Sequence, residues 1–111
     1  MAHYFCKLVP PRATFPADIT AQERELMDAH IAYWRPHLDM RRVFAMGPVL
    51  DPAGVYGMAV VEAAGLEALH ALQAADPIIA ASRGFHYVNH QMAGLSVPPG
   101  EPLAPVSSIS P

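Results

Sequence analysis

The sequence is poor in the residue types that several common protein classes require. Its 111 residues contain one cysteine, one tryptophan and a charged fraction of only 15%. The single cysteine, Cys6, excludes an intrachain disulfide and a zinc site built from cysteines. Because Cys6 lies in a strand-like apolar run, we expect a buried, unreactive thiol. The length fits one domain, which we place at residues 1–96, followed by a proline-rich tail at residues 97–111.

Clusters of basic residues and long apolar segments are also missing. With a net charge of −3 and scattered arginines, the chain offers no basic surface for nucleic acid. No apolar run approaches the ~18 residues that cross a membrane, and the N-terminal segment lacks the pattern of a secretion signal. The GxGxxG, P-loop and GxSxG motifs are absent. We therefore expect a cytoplasmic protein with neither a membrane nor a nucleic-acid partner.

The hydrophobic pattern predicts an α+β fold with the element order βαββαβ. The expected strands are 2–9, 43–46, 55–62 and 85–92, and the expected helices are 21–40 and 65–75, with one further helical turn within 77–83. Prolines and glycines mark the connection between the second and third strands, GPVLDPAG at 47–54, which we expect to be neighbours. This order is the ferredoxin-like arrangement, a four-stranded antiparallel sheet with two helices on one face. The uncovered face predicts a homodimer formed through the sheets.

The long helix has a clear start and one irregularity. Thr20 and Glu23 match a capping box, in which a hydroxyl and a carboxylate bind the free backbone N–H groups of the first turn. Pro36 falls inside the helical pattern. An interior proline removes a backbone hydrogen bond, so we expect a kink or break close to Trp34.

Histidine is frequent, with six in the chain, and His30 is the most informative of them. It lies on the stripe of the long helix that faces the sheet, where it is either a core histidine with one hydrogen bond or a general base. A histidine base needs a carboxylate that fixes its tautomer. Asp76 is the candidate carboxylate, although an aspartate before a proline is also a common turn signal that simply ends a helix. No HExxH motif or helical histidine pair is present, so we expect no metal site.

Several segments resemble the YciI-like (YCII-related) family of small dimeric α+β-barrel proteins. The resemblance rests on AHIAYWRPH around His30, on the GPVLDPAG loop, on the lead into the second helix at 62–68, and on Asp76-Pro77. It covers about residues 2–95 and implies a ferredoxin-like fold that dimerises through its sheets, with a pocket between helix and sheet. Members of the family pair a helix histidine with the aspartate of the DP motif, which implies that His30 and Asp76 form a catalytic dyad.

The resemblance implies an enzyme that needs no cofactor. One branch of the family eliminates chloride from chlorinated hydroxyquinols, and related folds include muconolactone isomerases. Our first hypothesis is therefore proton transfer in an elimination or isomerisation of a cyclic or aromatic-derived substrate, with His30 as the base and Asp76 orienting it. Candidate substrate-binding residues are Tyr33, Trp34, Ser82 and Arg83, where Ser82 or Tyr33 would bind a substrate oxygen and Arg83 an anionic group.

Two other hypotheses stay open. The first is a non-catalytic, dimeric ligand-binding or interaction module in which His30 and Asp76 form a structural hydrogen bond. The second is haem-linked oxygenase chemistry, as in related barrels, which predicts a coloured protein. A cavity beside the His30–Asp76 pair, lined by Tyr33 or Trp34, favours the enzyme, whereas a pair sealed from solvent favours the binding module.

Overall fold

A computed structural model of the chain describes residues 1–100. The part of the predicted tail from 101 to 111 lies outside the described residues, and residues 97–100 have no regular secondary structure. The elements are β1 (Ala2–Val9), α1 (Ala21–Asp39), β2 (Val43–Val49), β3 (Tyr56–Ala63), α2 (Leu66–Ala74), α3 (Pro77–Ala80) and β4 (His86–Gln91).

The four strands form one antiparallel sheet in the order β2-β3-β1-β4. The predicted α+β class and ferredoxin-like architecture are therefore confirmed. Strand β1 lies in the centre, and its inward residues alternate with residues of the open face. Tyr4, Cys6 and Leu8 are buried on the helix side, as the two-residue period of a strand requires.

A network of hydrogen bonds, which includes the capping box, stabilises the start of α1. The Thr20 hydroxyl accepts from the Glu23 backbone N–H at 3.1 Å, and the Glu23 carboxylate accepts from the Thr20 backbone N–H at 2.9 Å. Arg12 donates to both Glu23 carboxylate oxygens at 2.7 Å and to Asp18 at 2.9 Å. The Arg12 hydrogen bonds lower the pKa of Glu23 to about 2. The loop after β1 is thus tied to the first turn of α1.

The prediction for Pro36 was a kink or a break of the helix, and the break is wrong, because α1 continues through Pro36 to Asp39. Proline has no N–H, so Pro36 cannot donate the helical hydrogen bond to the carbonyl of Ala32 four residues earlier. Both residues are exposed. Water can therefore bind that carbonyl, and the loss of one hydrogen bond does not end the helix. Trp34, on the opposite side, is only 3% exposed and anchors this part of α1 to the sheet.

The predicted end of the second strand at Met46 is also wrong. Strand β2 continues through Gly47 and Pro48 to Val49, and Pro48 pairs with Gly57 of β3. Strand β2 is an edge strand of the sheet. A proline that lacks a donor is tolerated at an edge, so the GP dipeptide does not mark the turn.

The hydrophobic core lies between the sheet and the helices. Its largest cluster includes Tyr4, Cys6, Trp34, Val61 and Leu69, and a second cluster under α3 includes Leu8, Phe15, Ile78 and Phe85. The predicted burial of Cys6 is confirmed. Burial raises the pKa of the thiol to about 11, which leaves it protonated and unreactive at neutral pH.

Candidate active site

His30 contacts Asp76 directly across the interface between α1 and α3. The distance from His30 Nδ1 to Asp76 Oδ2 is 2.7 Å, and the two residues are 46 positions apart in the sequence. The exposed fraction of the His30 side chain is 9%, and that of the Asp76 side chain is 0%. The two residues that the sequence and the resemblance single out therefore meet as a short, buried hydrogen-bonded pair.

Asp76 is held in place by the local chemistry of the Asp-Pro dipeptide. A residue before proline is driven into extended backbone, and Asp76 has φ −64° and ψ 126°. It is the N-cap of α3, with Pro77 in the first turn, and its Oδ1 accepts from the Ile78 backbone N–H at 3.0 Å. Because one carboxylate oxygen caps α3, the other points towards α1 and β4.

Two further side chains bind this second oxygen. Trp34 Nε1 and the Tyr87 hydroxyl each donate to Asp76 Oδ2 at 2.7 Å. Burial by itself would raise the pKa of Asp76, but the hydrogen bonds from His30, Tyr87 and Trp34 outweigh it, and the pKa lies below the ordinary value. Asp76 is therefore an anion at neutral pH, although no part of it reaches solvent.

The contact with Asp76 fixes the roles of the two nitrogens of the His30 ring. An ionised carboxylate only accepts hydrogen bonds, so Nδ1 of His30 donates. Nε2 of His30 forms no hydrogen bond within residues 1–100. It is not a fully buried unpartnered atom either, since His37 Nδ1 is the one such side-chain atom in that range. If His30 acts as a general base, Nε2 is the nitrogen that would take the proton, because Nδ1 is held by Asp76.

The other residues predicted for the substrate take different positions. Trp34 binds Asp76 and is buried, while the Tyr33 hydroxyl donates to the Leu72 carbonyl of α2 at 2.6 Å. Ser82 and Arg83 are exposed and belong to the turn after α3. The structure thus brings Trp34 to the pair, but as a donor to the carboxylate. It shows no hydrogen bond between the pair and Tyr33, Ser82 or Arg83.

Two surface cavities lie away from the pair, and neither is lined by His30, Asp76, Tyr33 or Trp34. One, of about 420 Å³, lies at the start of α1 and is lined by Thr20, Ala21, Gln22, Glu23, Leu26 and Arg83. The other, of about 320 Å³, lies across the sheet beside Lys7 and Tyr56. The cavity at the start of α1 lies near His30 along the helix. One of its lining residues, Leu26, precedes His30 by one helical turn, about 6 Å, on the same inward stripe.

Sequence reasoning did not find Tyr87 as a partner of the pair. The alternation of β4 places Tyr87 and Asn89 on the same side of the strand, towards the helices. A phenolic hydroxyl on an inward position needs a hydrogen-bond partner, which was the available signal. Asn89 likewise meets a buried polar group, since it exchanges two 2.8 Å hydrogen bonds with Gln73 of α2.

Within residues 1–100, no three or more histidine, cysteine or acidic side chains cluster as ligands for one metal ion. None of the helices there combines the length and the apolar character that crossing a bilayer requires.

The fold and the site together define a class of protein. The chain is a small α+β protein with a ferredoxin-like sheet and a buried histidine–aspartate pair between the first helix and the start of α3. A family model described as the YCII-related domain matches residues 5–89. The match covers most of the chain, so this protein belongs to the YCII-related family. No curated protein matches the chain.

Proposed function

We propose that this protein is a small enzyme that needs no cofactor and transfers a proton with His30 and Asp76. The reaction is an elimination, a dehydrochlorination or an isomerisation of a cyclic or aromatic-derived substrate. The supporting observation is the arrangement of the His30 ring, in which Nδ1 donates to a buried anion at 2.7 Å and Nε2 has no partner within the described residues. Nε2 takes the substrate proton, and Asp76 stabilises the imidazolium that forms.

Charge at the cavity near the start of α1 suggests where an anionic part of the substrate binds. Glu23 lines this cavity, but its carboxylate is already bound by Arg12. Arg83 lines the same cavity and forms no ion pair with a described residue. Arg83 therefore supplies the unpaired charge, and it would bind a carboxylate or phenolate of the substrate.

We also place the enzyme in the cytoplasm as a homodimer formed through the open face of the sheet. That face carries Phe5, Met58 and Val88, and Val88 is 38% exposed. A partially apolar sheet face of this kind is often covered by a second copy.

The alternative function is a non-catalytic ligand-binding or interaction module in which the pair is structural. Two observations favour it. Neither of the two cavities described above is lined by His30 or Asp76. Asp76 is completely buried and links α1, α3 and β4 through four hydrogen bonds, so the network would stabilise the fold even without chemistry.

Chemical labelling of histidine distinguishes the two functions. Diethyl pyrocarbonate reacts with an unprotonated, accessible imidazole nitrogen, and the exposed residues His70, His86 and His90 serve as internal references. If Nε2 serves a substrate, His30 is labelled in the folded protein, more slowly than the references. Peptide mass spectrometry measures the rates. A His30 that becomes labelled only when the protein unfolds would contradict the enzyme and favour the binding module.

A further inference from the structure

We propose that Trp34 and Tyr87 are positioning residues for the His30–Asp76 pair, because they hold Asp76 as an anion with neutral hydrogen-bond donors and leave its charge available to His30. This inference rests on the proposed function and adds to it how the carboxylate is prepared. It begins with the unequal use of the two carboxylate oxygens. Oδ2 accepts from His30, Trp34 and Tyr87, each at 2.7 Å, whereas Oδ1 accepts only from the Ile78 backbone N–H.

The first step of the argument concerns charge. A buried carboxylate must be stabilised by hydrogen bonds or by a counter-ion. Within the described residues, Asp76 has no lysine or arginine partner, and its one ion-pairing contact is with His30. An arginine in that position would already neutralise the carboxylate. Because indole, phenol and backbone donors are neutral, a proton that arrives on His30 meets an uncompensated negative charge.

The second step concerns geometry. Trp34 follows His30 by one turn on α1, so both side chains approach Asp76 from the same helix, while Tyr87 approaches from β4. Together with the α3 cap, these contacts fix the carboxylate from three elements. The hydroxyl of Tyr33, also on α1, donates to the Leu72 carbonyl and not to Asp76. The position of Oδ2 relative to His30 Nδ1 is therefore set before any substrate binds.

The experiment compares two tyrosine-to-phenylalanine variants of the full chain. Tyr87→Phe removes one donor to Asp76, whereas Tyr33→Phe removes a hydroxyl of the same type that binds a carbonyl elsewhere. The ¹³C carboxyl resonance of Asp76 is followed against pH in the unmodified protein and in both variants. Because a hydrogen bond to a charged acceptor stabilises the ionised form, the midpoint of the Asp76 titration should rise by about one pH unit or more in Tyr87→Phe. Tyr33→Phe should leave it unchanged.

Trp34→Phe provides a second test that keeps an aromatic ring in the core. It should also raise the midpoint, and the ¹⁵N resonances of the His30 ring should show a smaller population with the proton on Nδ1. An unchanged Asp76 midpoint in both Tyr87→Phe and Trp34→Phe, or an equal rise in Tyr33→Phe, would overturn the positioning role. This readout needs no substrate. If the Asp76 midpoints shift as expected but replacement of His30 does not change turnover, Trp34 and Tyr87 do stabilise the Asp76 anion, and the proposed function is wrong.

Discussion

Replacing Asp76 by alanine is expected to lower the free energy of unfolding by about 4 kcal/mol. The substitution leaves four donors without an acceptor, namely the His30 ring, the Trp34 indole, the Tyr87 hydroxyl and the Ile78 backbone N–H. Asp76 is 0% exposed, so water cannot replace the carboxylate without entering the core. Urea denaturation followed by circular dichroism measures the loss, and the melting temperature should fall by about 15 °C or more.

The chain contains a matched control in its other Asp-Pro dipeptide. Asp51 precedes Pro52, and its carboxylate accepts from the Ala53 backbone N–H at 2.8 Å in an exposed turn. Asp51→Ala removes one such hydrogen bond and should cost about 1 kcal/mol or less. Equal losses for Asp51→Ala and Asp76→Ala would show that the network around Asp76 contributes nothing beyond an ordinary turn.

The stability difference between Asp76→Ala and the unmodified protein should depend on pH. Folding lowers the pKa of Asp76 below its ordinary value of ~3.9. The stabilisation by the ionised carboxylate is therefore fully present above about pH 4 and is lost as the pH falls through the lower pKa of the folded state. The two proteins should converge in stability in acid, and a constant difference down to the acid limit would contradict an ionised Asp76.

Replacing His30 by asparagine is expected to abolish most of the turnover while it preserves the fold. The asparagine amide can take the place of Nδ1 and donate to Asp76, but it has no counterpart of Nε2. General base catalysis contributes about 10²- to 10⁴-fold to a rate, so kcat/KM should fall by a factor in that range. The assay measures chloride release from chlorinated hydroxyquinols and the exchange of activated C–H protons with D₂O in cyclic lactones and ketones.

His70→Asn is the control for this substitution, because His70 is also helical but is exposed on α2. It should leave both turnover and melting temperature unchanged. Turnover that survives in His30→Asn would contradict a role for His30 as the base. A variant that retains the fold but loses turnover would separate catalysis from the structural contribution of the pair.

The sequence predicted the layout of the fold because that layout depends on local signals. The capping box at Thr20 and Glu23 follows from a short helix-start motif. The stripe that carries His30 and the alternation of β4 follow from helix and strand periodicity. Where the prediction failed, the position of the residue in the folded protein overrode the local signal. Pro36 does not break α1 because it lies with Ala32 on the exposed side of the helix, and Gly47-Pro48 remains in a strand because β2 lies at the sheet edge.

The candidate site was predictable only in part for a related reason. Asp76 was a candidate carboxylate for His30 from its residue type alone, and the family resemblance supplied the support for the pair, since 46 residues separate the two and no spacing rule connects them. Trp34 was a candidate substrate-binding residue because it lies one helical turn after His30, although aromatic residues on such a stripe more often belong to the core. Its indole N–H in fact binds Asp76, which depends on where α3 packs against α1. Tyr87 comes from an edge strand late in the chain, and only the folded sheet brings it to the carboxylate.

The central claim is that His30 presents an unprotonated Nε2 while its Nδ1–H is held by Asp76, and the ¹⁵N spectrum of the His30 ring at neutral pH tests it most directly. The His30→Asn variant identifies the resonances of this ring among those of the six histidines. The expected spectrum shows a protonated Nδ1 and an unprotonated Nε2, with the Nδ1 proton shifted by its hydrogen bond to Asp76. A ring with its proton on Nε2 would contradict the claim, because the nitrogen facing the substrate would then be unable to act as a base.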